Sequence, residues 1–362
     1  MSLRVMMISG SYPPMKCGVG SYTKRLAETV AGLPDVEVAV LTDRRAMDFD
    51  RNTKVEVMPV MVGWRLRHAL RGLFRILKWR PDVVHIQYPT LGYMGNSLAL
   101  HFPLILRMLG IPCVQTWHES TLFHSHEYRL TYGLNALISV RKGVREALTQ
   151  RTREAIADTP FFWIPNASLL PGVTLTEARQ KVIRQRYVLE GELLLVYYGF
   201  VAPLKGLESL LEVTARMANV RLVLACDLNP ADDYQQSLLD KIGESGIASR
   251  VVRAGFMPDT ELAETMAAAD AVVLPFRDGG GYWNTSIDGA IAQGVFVLTT
   301  SVEKQGYEAD TNVFCVRPGD VDGMVAALKT HAGVHIKTDS SQSKWAEIAR
   351  QHLDVYKLSL AK

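Results

Sequence analysis

The sequence predicts an α/β protein made of two doubly wound parallel-sheet domains. Three observations predict it. Short apolar runs alternate with helical stretches along nearly the whole chain. The alternation pauses once, at a linker-like stretch over Pro165–Val173, and then restarts. In each half, a strand feeds a Gly-rich loop that opens a helix. The 362 residues suit two domains. A composition of 48% hydrophobic and 21% charged residues is that of an ordinary soluble globular protein. No run approaches the ~20 apolar residues that a membrane span requires. A net charge of +3 is too small to argue for nucleic acid. Met1–Arg4 leads directly into a strand, so no secretory leader is expected. Cys17, Cys113, Cys226 and Cys315 form no C-x-x-C pair and read as reduced thiols in a cytoplasmic protein.

In order, Leu3–Ser9 is a near-continuous apolar strand of the kind buried in a parallel sheet. The loop after it, from Gly10 to Tyr22, holds two prolines and three glycines. It opens a helix with Tyr22, Leu26, Thr29 and Val30 on one face. Further strands are expected at Val36–Leu41, Val55–Val60, Val83–Gln87, Cys113–Trp117, Ala136–Val140 and Phe161–Ile164. After the linker they resume at Leu193–Tyr198, Val220–Ala225, Val251–Gly255, Ala271–Leu274, Val295–Leu298 and Val313–Val316. A helix with Leu207, Leu210, Leu211 and Val213 follows Lys205-Gly206. A last helix, Ser343–Leu360, repeats Trp345, Ile348, Ala349, Leu353 and Leu358 at helical spacing. The expected domains are therefore 1–168 and 169–342, followed by a terminal helix over 343–362.

Ligands of doubly wound sheets bind beyond the carboxyl ends of the strands. The residues just past those ends are Tyr88–Tyr93, His118–Glu119, Pro165–Asn166, Lys205 and the stretch Pro275–Gly294. That last stretch runs Pro-Phe-Arg-Asp-Gly-Gly-Gly before turning helical near Thr285. Such a loop aims backbone N–H groups and the positive end of a helix dipole at one spot, which suits a phosphate. Neither Gly-rich turn matches G-x-G-x-x-G, which disfavours a dehydrogenase. A cleft between the domains is the expected ligand site. The cluster His118, Glu119, His124, His126 and Glu127 matches no standard metal motif, and no metal is expected.

Trp64–Arg80 carries Leu66, Leu70, Leu73 and Leu77 at 4, 3, 4 spacing, beside Arg67, Arg71, Arg75 and Lys78, with Arg65 and Arg80 nearby and no acidic residue. Two readings fit: a core-facing helix with a solvated basic face, or a basic amphipathic helix lying on anionic lipid.

Several short elements, taken in order, resemble the GT-B glycosyltransferases, most closely the retaining glycosyltransferase family 4. They are Ser11-Tyr12-Pro13-Pro14 with Gly18-Val19-Gly20, Pro81-Asp82-Val83-Val84-His85, Thr116-Trp117-His118-Glu119, and Ile164-Pro165-Asn166. They continue with Gly199 to Lys205-Gly206, Pro275-Phe276 to Ala290-Ile291-Ala292-Gln293-Gly294, and the Trp345-x-x-Ile-Ala tail. The resemblance implies two Rossmann-like domains facing across a cleft, with the helix 343–362 crossing back to pack on the first. Gly18, Val19 and Gly20 would let the first helix approach a donor diphosphate. Lys205, with Arg277 as a second cation, would neutralise the departing phosphate, and His118 would sit by the donor sugar. Arg253 and Phe256 would contact the base. Asp278, Gly281, Tyr282, Trp283, Asn284, Thr285 and Asp288 would hold the rest of the donor, with Asp288 on ribose and Asp278 on a sugar hydroxyl. Tyr88, Tyr93 and Glu119 fall on the acceptor side. The family's Glu-x7-Glu pair falls at Gly281 and Gly289, and the basic residue that often precedes the lysine is replaced around Phe200 and Ala202.

The implied activity is retaining, metal-independent transfer of a hexose from a nucleotide-diphosphate sugar. A UDP-hexose such as UDP-glucose is favoured and GDP-mannose is second. The acceptor would be a glycan or lipid-linked chain in surface or extracellular polysaccharide synthesis. The nucleotide sugar is substrate, so no cofactor is expected. The protein would be cytoplasmic, with a peripheral place on the inner membrane face if Trp64–Arg80 meets lipid. A non-catalytic nucleotide-sugar-binding partner and a nucleotide-sugar 2-epimerase of the same fold are the alternatives.

Overall fold

The computed structural model describes residues 2–96, 98–119, 132–281, 283–337 and 341–361. The chain divides into two compact units, 1–166 with 344–362, and 167–343. Each is an α/β layer structure around its own sheet.

The first sheet holds β1 (Leu3–Ser9), β2 (Val36–Asp43), β3 (Glu56–Met61), β4 (Val83–Tyr88), β5 (Cys113–Trp117), β6 (Ala136–Ser139) and β7 (Phe161–Trp163), in the order β3-β2-β1-β4-β5-β6-β7. Every pairing in it is parallel. Helices cover both faces of such a sheet, so its strands read as apolar runs. Val5, Met6, Met7 and Ile8 are fully buried, as the run in β1 requires. The order reverses between β1 and β4, which makes their carboxyl ends a topological switch point. Helix α1 (Gly18–Ala31) starts there and buries Tyr22, Leu26 and Val30.

The second sheet holds β8 (Leu193–Tyr198), β9 (Val220–Ala225), β10 (Val251–Arg253), β11 (Ala271–Leu274), β12 (Val297–Thr300), β13 (Gly306–Glu308) and β14 (Val313–Val316). Its order is β10-β9-β8-β11-β12-β14-β13, with the switch between β8 and β11. Only β13 runs antiparallel among these described strands, and at three residues it gave no sequence signal. β12 lies two residues beyond its expected start, at Val297 rather than Val295.

Two expectations about helices are corrected. Helix α2 (Ala69–Trp79), preceded by a short turn at Leu66–His68, meets the core through Ala69, Gly72 and Ile76. The core-facing reading fails for most of the leucine stripe: Leu66 is 56% exposed, Leu70 80% and Leu77 51%, and Phe74 joins them at 62%, while Leu73 alone of the four packs half-buried against the core. Gly72 explains the rotation, because a Cβ there would lie 3.0 Å from Phe102 on α3 (Leu98–Met108). The small residues give the close approach, and the large ones are turned away from it. Trp64, at the head of the stretch, is buried and donates to Asp43 at 3.1 Å. The tail helix (Ser341–Leu360) buries Trp345, Ile348 and Ala349 as expected. Leu358 is 42% exposed, and His352 and Tyr356 fill the buried face instead.

Candidate active site

In the first unit, the carboxyl ends of β1 and β4 are locked together by glycines. A Cβ on Gly92 would overlap the Gly10 carbonyl, and the Gly92 N–H donates to Ser11 Oγ at 2.8 Å. Gly20 lets α1 pass Ser11, with an added Cβ only 3.0 Å from its carbonyl. Gly18 has open space beside it. Cys17 supplies no side-chain cap to α1, and its first turn holds no acidic residue. The N–H groups of Gly18, Val19 and Gly20, without intrahelical acceptors, present the positive end of the dipole.

His118 follows β5 and is 9% exposed. Its backbone N–H donates to the Tyr88 carbonyl at 2.9 Å. Its Nε2 lies 2.8 Å from Gln87 Oε1, so the imidazole donates from Nε2 and keeps Nδ1 as an acceptor. The Gln87 amide nitrogen stands 3.1 Å from His85 Nε2. His85 in turn meets Thr116 Oγ1 and Tyr356 Oη, each at 2.7 Å. Tyr22 stacks edge-on against His118 at 4.7 Å, and Trp345 lies 5.4 Å behind Tyr22. The tail helix thus braces His118 by two routes. Burial, and then the nearby His352, push the His118 imidazole down to about 3, so it is neutral at pH 7. His352 is itself pushed down to about 4 by burial.

The acceptor-side residues separate. Tyr93 is a core residue: it is 2% exposed, its hydroxyl donates to the Gln87 carbonyl at 3.0 Å with the Ile8 carbonyl 3.3 Å away, and it packs edge-on against Trp64 at 4.7 Å. Its expected sugar contact is corrected, because ring and hydroxyl are both engaged inside the unit. Tyr88 is half-buried and stacks on Tyr93 at 6.0 Å. Glu119 is exposed.

In the second unit, Lys205 ends a 3-10 turn (Pro203–Lys205) between β8 and α7 (Leu207–Arg216). Gly206, at φ +66°, follows it, and a Cβ there would overlap the Pro275 carbonyl. The Arg277 N–H donates to the Leu204 carbonyl at 2.9 Å. The lysine turn is thereby fastened to the loop after β11. Lys205 Nζ sits 4.8 Å over the Phe276 ring. Phe276 in turn lies against Gly280, whose Cβ would come within 2.5 Å of the ring. Arg277 is less available than expected, because its guanidinium bonds Glu208 at 2.8 Å. Glu208 also accepts from Tyr234 at 3.0 Å.

The Gly-rich loop leads into α10 (Thr285–Ile291). Gly279 takes φ +82°, and the Gly280 N–H donates to the Thr300 carbonyl at 2.7 Å. The Gly281 N–H is already bonded to Asn284 Oδ1 at 3.0 Å. Asn284 therefore shapes the loop and removes one expected anion donor. Asp278 is exposed and Thr285 half-exposed at the start of α10. Arg253 is exposed at the end of β10, and Phe256 is 66% exposed with its N–H held by Asp227 at 3.1 Å. Tyr282, with His124, His126 and Glu127, lies outside the described residues. Among the described residues no group of three or more His, Cys, Asp or Glu side chains is placed to hold a metal ion. A separate depression of about 560 Å³ is lined by Gln305, Cys315, Arg317 and Asp320, and none of the expected donor residues borders it.

Comparison with known proteins places this geometry. Residues 17–159 match the glycosyl transferase 4-like domain and residues 192–332 match the glycosyl transferases group 1. The chain belongs to the GT-B glycosyltransferases of the family 4, group 1 type. It is 30% identical over 203 residues to an alpha-D-kanosaminyltransferase of Streptomyces kanamyceticus, covering 51% of this chain and 52% of that one. It spans about half the length of the first curated relatives it matches. A Rickettsia africae glycosyltransferase superposes with a TM-score of 0.74 at 13% identity, over 99% of each chain. Anabaena HepE in complex with UDP-glucose superposes at 0.67 and 15% identity, over 99% of this chain and 97% of that one. Likeness at these identities carries the fold.

Within the family pattern, the two absent glutamates have a steric reason. A Cβ on Gly281 would overlap the Trp283 ring. One on Gly289 would overlap the Tyr198 hydroxyl, which donates to the Ser286 carbonyl. Aromatic groups occupy both places that carboxylate side chains would need. Asp288, one position from Gly289, faces Tyr198, and its charge adds to burial in holding that phenol protonated. Sequence reasoning named Lys205 and the glycines as candidates and His85 only as part of a family element; it did not name Gln87, Tyr198 or Glu208. The one available signal was polar residues inside apolar strands, as in His85-Ile86-Gln87.

Proposed function

We propose that this protein is a retaining, metal-independent hexosyltransferase. Its donor is a nucleotide-diphosphate sugar, with a UDP-hexose first and GDP-mannose second. Its acceptor is a glycan or lipid-linked chain of a surface polysaccharide. The observation that carries this reading is Lys205 on a glycine-anchored turn, fastened to the loop that opens α10. A cation beside helix-terminal N–H groups is a set suited to a diphosphate leaving group.

In this reading the acceptor hydroxyl attacks the anomeric carbon from the face the diphosphate leaves. The bond from that carbon to the phosphate oxygen breaks as the new glycosidic bond forms. The departing phosphate oxygen takes the hydroxyl proton, so no protein base is needed. Lys205 balances the charge that grows on the phosphate. His118, neutral with its proton on Nε2 directed to Gln87, offers Nδ1 to a sugar hydroxyl. Phe256 offers its exposed ring to the base.

The filled positions beside Gly281 and Gly289 favour a second reading, a binding partner that holds the donor without turning it over. A thermal-shift series with UDP, GDP, UDP-glucose, GDP-mannose and NAD, with and without EDTA, tests both. A hundredfold excess of a true ligand over its Kd adds about 2.7 kcal/mol of stability. The expected result is a rise in Tm with one nucleotide sugar, unchanged by EDTA, followed by its consumption when acceptor glycans are supplied. Binding without consumption selects the second reading, and no shift with any nucleotide overturns both.

A further inference from the structure

The first unit carries a helix with three faces, and the third has no use inside the fold. At roughly 100° per residue, Ala69, Gly72 and Ile76 of α2 share one third of its circumference. Leu70, Phe74 and Leu77 lie about 120° further round, with Leu66 of the preceding turn above them. Arg67, Arg71, Arg75 and Lys78 occupy the remaining third. An ordinary surface helix has two faces, one apolar and buried, one polar and solvated. Here a second apolar face, more than half exposed at each of its four large side chains, lies between the core contact and the basic stripe.

The charge pattern identifies what covers it. From Val62 to Arg80 there are six Arg and Lys residues and no Asp or Glu. Among the described residues, none of these six forms an ion pair. Arg71 reaches the Val60 carbonyl at 3.3 Å, and Arg75 lies 5.9 Å from the Phe74 ring. The neighbouring α3 adds exposed Leu104 and Met108 with Arg107 between them in sequence. An apolar strip flanked by unpaired cations is complementary to one solvent in particular, an anionic bilayer surface. There the apolar side chains enter the acyl boundary and the cations stay among the phosphates. No described helix is long and apolar enough to cross a membrane, so this contact lies along the surface.

We propose that the outer face of α2, centred on Leu70, Phe74 and Leu77 and edged by Arg67, Arg71, Arg75 and Lys78, docks the protein on an anionic lipid membrane. The surface stands independently of which sugar is transferred. The test is flotation of the full chain with phosphatidylcholine vesicles, alone or mixed with phosphatidylglycerol, at low and high salt. Three proteins are compared: wild type, L70S/F74S and R71Q/R75Q. Leu70, Phe74 and Arg71 are exposed and Arg75 is half-buried, and Arg71 gives up only its contact to Val60, so Tm values close to wild type are expected and are checked first. The proposal expects binding to mixed vesicles only, weakened by salt. It expects loss of binding in L70S/F74S and a roughly fivefold loss per cation in R71Q/R75Q. Failure to bind mixed vesicles overturns it, as does undiminished binding by either variant. Light scattering supplies the other outcome: a wild-type dimer that L70S/F74S dissociates would assign the face to a second copy of the chain.

Discussion

The carboxyl ends of the two sheets are prepared in different ways. In the first unit, polar side chains are buried and bonded to each other: Ser9 to Ser11, Gln87 to His118, and His85 to Thr116 and Tyr356. In the second, the strand ends deliver glycine turns and two cations, Lys205 half-exposed and Arg277 exposed. One end fixes a neutral imidazole by burial. The other offers positive charge that solvent and salt can reach. Burial should make the first half sensitive to acid and to loss of a bonded partner. Exposure should make the second half tolerant in stability and fragile in activity.

Lys205→Ala tests the second half and carries the largest expected effect. Removing a positioned charge that stabilises a developing anion costs about 10²- to 10³-fold in turnover, or about 3–4 kcal/mol. The side chain is half-exposed and ends its turn, so the stability should stay within about 1 kcal/mol of wild type. Initial rates with the donor identified by thermal shift are the measurement. Undiminished turnover would remove Lys205 from the mechanism.

That lysine was legible in the sequence, and the reason is local: a strand, a turn and a helix within ten residues leave one place for it. The strands were legible for a similar reason. β1, β5, β8, β9, β11 and β14 begin and end where their apolar runs do, because a strand buried on both faces must be apolar throughout. β12 slipped because Thr299 and Thr300 do not look like a buried strand, although their hydroxyls bond the Leu274 and Phe276 carbonyls. On α2 the period was right, but it did not decide between the two readings of the face. Periodicity finds an apolar stripe but does not say that Gly72 lets Phe102 approach on another side. Tyr198 and Gln87 were invisible as site residues because their roles come from partners 88 and 31 residues away.

Gly289→Ala tests whether the aromatic filling of the second half is rigid. The new methyl collides with the Tyr198 hydroxyl, while the ring carbon bearing that hydroxyl stands 3.3 Å away. Overpacking of this kind costs about 1–3 kcal/mol. Adding Tyr198→Phe removes the colliding atom, so the double variant should recover most of the loss, less the hydroxyl's bond to Ser286. Urea denaturation of the four proteins measures the coupling. Equal stability for Gly289→Ala and wild type would show that Tyr198 moves aside, and that a carboxylate at 289 was never barred by it.

The buried half has an acid response of known sign. His118 and His352 are held at about 3 and about 4 in the folded protein, below the 6.5 of an unfolded histidine. Above pH 6.5 both states bind the same number of protons, and stability is flat. As pH falls from 6.5 towards 4, the unfolded chain takes up protons that the folded chain refuses, and stability drops. Each histidine contributes a loss of about 1 kcal/mol between pH 7 and 5.5. His352→Leu removes one such group, whose Nε2 has no hydrogen-bond partner among the described residues and whose Nδ1 meets the Ile348 carbonyl of its own helix at 2.7 Å. The variant should be near wild type at pH 7 and visibly less acid-sensitive at pH 5.5. Identical urea midpoints for the two proteins at pH 5.5, measured against pH 7 controls, would mean that His352 titrates normally where it lies.

Arg277 gives the smallest effect and the sharpest contrast with Lys205. Both cations flank the same loop, but Arg277 is 54% exposed and paired with Glu208, itself 29% exposed. An exposed pair of this kind is worth about 0.2–1 kcal/mol. Arg277→Ala should therefore change turnover or UDP affinity by only about 1.4- to 5-fold. Glu208→Gln makes the complementary case: it leaves the arginine in place but frees its charge, so nucleotide diphosphate should bind up to about fivefold tighter at low salt, and the gain should vanish at high salt. Titration of UDP into the three proteins distinguishes a spectator from a participant. A loss in Arg277→Ala as deep as that in Lys205→Ala would mean that the arginine leaves Glu208 for the phosphate when the donor arrives, and the exposed half would then hold two working cations rather than one.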